Sequence, residues 1–126
     1  MTHWYPTLSR SALTPPNIAF PIAWTILYML MGISISLITM SSHYLKKTLI
    51  VLFILQLIAN FLWSVFFFYL ENPFLGLTDI VILDIIVIFY IIKSYSVSKI
   101  STWLFVPYLL WILFATYLNA YIFIYN

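Results

Sequence analysis

An all-α, polytopic transmembrane helical bundle is the fold class that the sequence predicts, and three observations carry it. Hydrophobic residues fill 65% of the 126 positions and charged residues only 6%, against roughly 45–50% and 25% in soluble domains. Four apolar stretches, near 18–40, 48–70, 74–92 and 101–124, have about the 20 helical residues that cross a bilayer core about 30 Å thick. The breaks between them, SSHYLKK, ENP and KSYSVSK, are short and polar enough to sit at a membrane interface. The chain is expected to form a single membrane domain over 1–126, with residues 1–17 as a loop ahead of four spans.

The first span follows MTHWYPTLSRSALTPPN and begins IAFPIAW. A signal peptide places positive charge before an apolar run of about 7–15 residues. This run is longer and has two prolines just before it, so the opening stretch is expected to belong to the working protein. Pro21 falls near the first turn of the span, where little of the hydrogen-bond ladder is lost. In the third span Asn72 is placed to cap the helix, with Pro73 at the first helical position, where a missing N–H costs nothing. Pro107 lies deeper in the fourth span and is expected to kink it and free a carbonyl near Trp103.

Lys46, Lys47, Lys93 and Lys99 fall in the first-to-second and third-to-fourth connections, while Arg10 and Glu71 fall on the other side. The cytoplasmic bias of Lys and Arg then puts those two connections inside and both termini on the non-cytoplasmic side. Five basic residues with no cluster beyond Lys46 and Lys47 make nucleic acid an implausible partner. The absence of cysteine excludes disulfides, thiolate metal sites and a cysteine nucleophile. His3 and His43 fall on opposite sides of the membrane, so they cannot share a metal. A solvated surface histidine is the plainer reading of each, with His3 as an axial haem ligand the alternative. The aromatic residues near the span ends, such as Trp4, Tyr44, Tyr69 and Tyr125, fit an interfacial belt.

Inside the spans the informative residues are those that are costly in hydrocarbon. On the second span Gln56, Asn60, Trp63 and Ser64 share one helix face by their three- and four-residue spacing. On the fourth, Tyr108, Trp111, Ala115 and Asn119 form another stripe, with Thr116 beside it. One reading is structural: the amides bond across helices and the small residues permit close packing. The other is a cavity whose aromatic walls and few amides suit a flat, largely apolar ligand. Asp79 and Asp84 lie about 140° apart around the third helix, too divergent for a catalytic pair. Asp84 lies roughly 16 Å from Pro73 along that helix, near the bilayer middle. No span holds a basic partner for it. It is therefore expected to be protonated or to face polar groups or water, either as a satisfied structural carboxyl or in a proton relay. Small pairs four apart, Gly32 with Ser36, Ala19 with Ala23 and Thr116 with Ala120, suit helix packing within one chain or between two.

Three blocks, WYPTLSRSALTPPNIAFPIAWTILYMLMG, LQLIANFLWSVFFF and VPYLLWILFATYLN, resemble the translocator protein family, also called tryptophan-rich sensory proteins or peripheral benzodiazepine receptors. The family signature falls on Trp4, Tyr5, Leu8, Pro15, Pro16, Trp24, Leu27, Tyr28, Met31 and Gly32. It continues through Gln56, Asn60, Trp63, Phe67 and Phe68, then Pro107, Tyr108, Trp111, Phe114, Ala115, Leu118 and Asn119, with Asp79 at a position often acidic in the family. The resemblance implies a helical bundle around a ligand pocket, with the Trp-Tyr and Pro-Pro loop folded over its mouth as a lid. The ligand-binding residues it implies are Tyr5, Arg10, Trp24, Tyr28, Asn60, Trp63, Trp111, Ala115, Leu118 and Asn119. The family has five spans, the first ahead of the Trp-Tyr signature, so the four spans here are expected to match its second to fifth. Ser11, Ala12 and Leu13 stand where the family loop usually carries a Pro-Ser-Trp-like run, and the sterol pattern near Leu118 and Tyr121 lacks its base, so cholesterol is not the expected ligand.

The function implied is binding, and transport or sensing, of a porphyrin or haem-type tetrapyrrole or another flat hydrophobic ligand. The expected partners are the lipid bilayer, that ligand and a second copy in a homodimer; no cofactor or metal is required. An alternative implied by the resemblance is a light-dependent porphyrin-degrading enzyme with Trp24 and Trp111 as photochemical candidates, although the sequence holds no nucleophile–base pair, metal cluster or phosphate loop. A second alternative, independent of the family, is a four-span proton-coupled exporter using Asp84.

Overall fold

The structure, a computed structural model, describes residues 19–125. They form α1 (Ala19–Thr39), α2 (Lys46–Ser64), a π-helical turn (Val65–Tyr69), α3 (Pro73–Ser94) and α4 (Lys99–Tyr125). All four helices are long and apolar enough to cross a membrane, so the chain is an integral, multi-pass membrane protein with the expected all-α architecture.

The helix ends follow from local chemistry. Asn72 Oδ1 accepts from the backbone N–H groups of Phe74 and Leu75, both at 3.1 Å, with Pro73 at the start of α3. Just before it, Glu71 takes a left-handed backbone conformation with φ 52°, which reverses the chain between the π-helical turn and α3. Between α1 and α2, Ser41 Oγ accepts from the His43 N–H at 3.0 Å and His43 Nδ1 accepts from the Leu45 N–H at 3.1 Å. His43 is therefore a turn-forming residue. Pro107 lies within α4, which runs on past it to Tyr125.

Packing follows the ring α1–α4–α3–α2, with the seam between α1 and α2 the thinnest of the four. Sequential helices run antiparallel: Tyr28 and Met31 on α1 meet Asn60 and Gln56 on α2, and Pro73 and Tyr90 on α3 meet Asn119 and Phe105 on α4. The start of α1, the end of α2, the start of α3 and the end of α4 thus share one end of the bundle. Lys46, Lys47, Lys93 and Lys99 gather at the other.

In lipid, apolar side chains gain nothing by leaving the bilayer for the bundle, so association rests on close packing and on hydrogen bonds between helices. At the lysine-bearing end, Ser34 Oγ lies 2.6 Å from Ser101 Oγ and 3.0 Å from the Tyr90 hydroxyl. Ser101 Oγ also donates to the Ser34 carbonyl at 3.0 Å. The cluster is fully buried and joins α1, α3 and α4. Phe105 packs against Tyr90 with ring centres 4.2 Å apart and meets Tyr108 edge-on at 5.5 Å. By contrast Gly32 and Ser36 face outward, and Ser36 Oγ bonds the Gly32 carbonyl of its own helix.

Replacing Ser34 by Ala strips Tyr90 and Ser101 of a buried partner and is expected to lower stability by about 1–3 kcal/mol. Ser36→Ala, on the exposed face, should stay within about 0.5 kcal/mol. Reversible unfolding in bicelles measures both, and equal effects would remove the role assigned to the buried cluster.

Candidate functional site

The second helix supplies the polar core. Gln56 and Asn60 lie one turn apart on the face of α2 that points into the bundle, and both are buried. Asn60 Nδ2 donates to the Tyr108 hydroxyl of α4 at 2.7 Å, and that hydroxyl donates to Gln56 Oε1 at 2.8 Å. The Tyr28 hydroxyl of α1 donates to Asn60 Oδ1 at 2.9 Å. Gln56 Nε2 in turn rests on the sulfur of Met31 at 3.6 Å. One relay of hydrogen bonds therefore joins three helices across the bundle.

Around this relay stands a group of aromatic rings. Trp24 of α1 meets Trp111 of α4 almost perpendicularly, with centres 6.2 Å apart and planes at 88°. It also meets Tyr108 at 6.3 Å and Tyr28 at 5.8 Å. Edge-to-face contacts of this kind align the positive rim of one ring with the negative face of the next. Beside Trp111 a groove of about 470 Å³ runs along the seam between α1 and α4, lined by Ala23, Ile26, Leu27, Pro107, Leu110, Trp111 and Phe114. Its volume lies within the range of small-molecule sites.

The structure divides the residues expected at the site into two groups. Trp24, Tyr28, Asn60 and Trp111 come together around Tyr108. Trp63, Ala115, Leu118 and Asn119 gather instead beside the π-helical turn, where Trp63 stacks on Phe67 at 5.2 Å. Trp63 Nε1 donates to Asn119 Oδ1 at 2.9 Å, and Asn119 Nδ2 donates to the Pro73 carbonyl at 2.8 Å. The hollow that this second group lines, with Phe67, Phe68 and Ile122, measures about 20 Å³, about the space of one water. These side chains close the bundle end, and Asn119 is engaged on both of its polar atoms. Tyr5 and Arg10 lie outside the described residues.

Tyr108, the centre of the relay, was legible only as one member of the fourth-span stripe, and Gln56 only by its spacing from Asn60. Gly76, one of two glycines in the chain, carried no signal beyond its smallness. The structure explains it: a Cβ there would lie 2.8 Å from Asn119 Oδ1 and 3.2 Å from Phe67 Cβ. On α3, Asp84 faces the Thr116 hydroxyl of α4, the polar contact that its depth demanded. Among the described residues no group of three or more His, Asp or Glu side chains is arranged to hold a metal.

Alanine at an unobstructed helical glycine gains up to about 1 kcal/mol, and Gly32, with nothing within 4 Å of its would-be Cβ, should behave so. Gly76→Ala should instead lose about 1–3 kcal/mol by overpacking and by displacing Asn119 from Trp63. Unfolding measurements on the pair check the opposite signs.

Comparison with known proteins agrees with this architecture. The TspO/MBR family model matches residues 1–125. The chain is 45% identical over 123 residues to the tryptophan-rich protein TspO of Archaeoglobus fulgidus, covering 98% of this chain and 80% of that one. It is 35% identical to protein CrtK of Rhodobacter capsulatus, over 92% of this chain and 72% of that one. With the translocator protein of Sus scrofa it shares 29% identity over 93% of this chain and 71% of the relative. The chain belongs to the TspO/MBR family.

Proposed function

We propose that this membrane protein binds a flat, largely apolar tetrapyrrole of the porphyrin or haem type and carries or senses it across the bilayer. The observation that supports this most is the perpendicular Trp24–Trp111 pair set over the Tyr28–Asn60–Tyr108 relay. Two indoles and two phenol rings offer apolar faces to a macrocycle. Asn60 keeps one amide hydrogen and one carbonyl lone pair beyond its two bonds in the relay, enough to orient a polar edge. The groove beside Trp111 gives such a ligand hydrocarbon walls.

Among the described residues the only cations of the helices are the lysines at the far end of the bundle, so its interior holds none for the propionates of a porphyrin. In this reading they point to the end of the bundle where α1 begins, toward Arg10 and water. That end is non-cytoplasmic, because the four lysines mark the opposite end as the cytoplasmic one.

Two outcomes test the reading in lipid nanodiscs, with tryptophan quenching and porphyrin absorbance followed together. Protoporphyrin should bind saturably to the wild type, and its Kd should rise about fivefold or more when both aromatic rings are removed in Trp24→Leu/Trp111→Leu, since each stacked aromatic contributes roughly 0.5–1.5 kcal/mol. Absence of saturable binding would sink the proposal. Arg10→Glu should weaken protoporphyrin more than its uncharged dimethyl ester; equal effects would contradict the pose.

A further inference from the structure

Thr116 Oγ1 lies 2.7 Å from Asp84 Oδ2 and 2.7 Å from the carbonyl oxygen of Ile112, one turn earlier on its own helix. A threonine hydroxyl has a single hydrogen, which it gives fully to one acceptor or shares between two at a loss in strength. With an ionised Asp84, two acceptors at 2.7 Å would compete for that one hydrogen, and at least one of the two short contacts would be a weakened bond. With a proton on Oδ2, the acid donates to Thr116 and Thr116 donates to Ile112. Both separations are then those of ordinary O–H···O bonds.

The surroundings favour the same arrangement. Asp84 is 7% exposed, and its Oδ1 is buried with no hydrogen-bond partner among the described residues. Asp79, on the same helix, is 8% exposed and its Oδ2 is likewise without one. The other buried titratable groups among the described residues are Asp79 and Tyr90 on α3 and Tyr108 on α4, with Tyr28 of α1 bonded into the relay behind Tyr108. From α2 and the π-helical turn the buried side chains are Leu49, Gln56, Ala59, Asn60, Trp63 and Phe67, none of which titrates. The lysines lie at the ends of α2, α3 and α4, and an unpaired anion at this depth is costly.

We propose that Asp84 is a proton-binding site inside the membrane, a carboxylic acid bonded to Thr116, whose proton is linked to the charge of the bound ligand. Asp84 meets α4 at Thr116 and, through it, the carbonyl of Ile112, the residue next to Trp111, so a charge appearing on Asp84 is felt at the aromatic group beside it. Loss of the proton repels an anionic ligand, and by reciprocity an anionic ligand raises proton occupancy. The linkage rests on the tetrapyrrole reading; the proton site itself does not.

The test has two arms, both on the full chain in nanodiscs. Infrared difference spectra should show a carboxylic-acid C=O band at neutral pH that vanishes in Asp84→Asn, remains in Asp79→Asn, and shifts without vanishing in Thr116→Val. Spectra of wild type and Asp84→Asn that coincide in this region overturn the site. In the second arm, protoporphyrin affinity should fall about fivefold or more between neutral and alkaline pH, the low end of ordinary coupling between sites. The dimethyl ester should show no such fall, and Asp84→Asn should flatten the response to the free acid. An equal fall in Asp84→Asn overturns the linkage. Failure of protoporphyrin to bind at any pH defeats the tetrapyrrole reading and the linkage with it, while the infrared arm still decides whether Asp84 holds a proton.

Discussion

The Tyr108 hydroxyl is the interaction on which the bundle most depends. It accepts from Asn60 and donates to Gln56, both on α2, and through Asn60 it reaches Tyr28 on α1. A bilayer offers no water to these amides, so each must find its partner within the protein. The seam between α1 and α2 is thin, and the relay ties those helices together there while docking both against α4. Once that register is set, Trp24 and Trp111 are brought edge to face. The aromatic site is thus a consequence of the polar relay beneath it.

The two ends of the bundle are secured by different means. At the lysine-bearing end, the Ser34, Ser101 and Tyr90 hydroxyls satisfy one another in a fully buried cluster. At the opposite end α2 finishes in a π-helical turn, a form that often marks a working site in a helix. It packs Trp63, Phe67 and Phe68 against one another beside Asn119. Gly76 lets α3 approach this cluster closely. Between the two closures lie the relay, the aromatic group and the buried carboxyl of Asp84, at middle depth where a change of charge has its largest effect.

Much of this was legible in the amino-acid order because lipid imposes simple rules. A span needs its length of apolar residues, so the four helices are plain, and Asn72 followed by Pro73 marks the start of α3 by capping chemistry alone. Polar residues in hydrocarbon are rare enough that Asn60, Gln56 and the fourth-span stripe stood out by cost. Spacing on one helix does not say which side chain of another it meets. Trp63 and Asn119 therefore looked equivalent to Asn60 and Trp111, although the fold engages them at the bundle end. The same limit hid Tyr108 as the centre of the relay, Ser34 as a clasp and Gly76 as a point of close approach, since each role is defined by a partner distant in the chain.

The most direct measurement is a double-mutant cycle on Tyr108→Phe and Asn60→Val, read as unfolding free energy in bicelles. Phenylalanine keeps the ring and valine much of the volume, so the cycle isolates the bond between the two helices. If the hydroxyl is the node that sets the bundle, the pair should show a coupling of about 0.6–1.7 kcal/mol, from the average to the upper end for hydrogen bonds between membrane helices. Strict additivity, within about 0.3 kcal/mol, would contradict that account and leave the aromatic site without the scaffold assigned to it here.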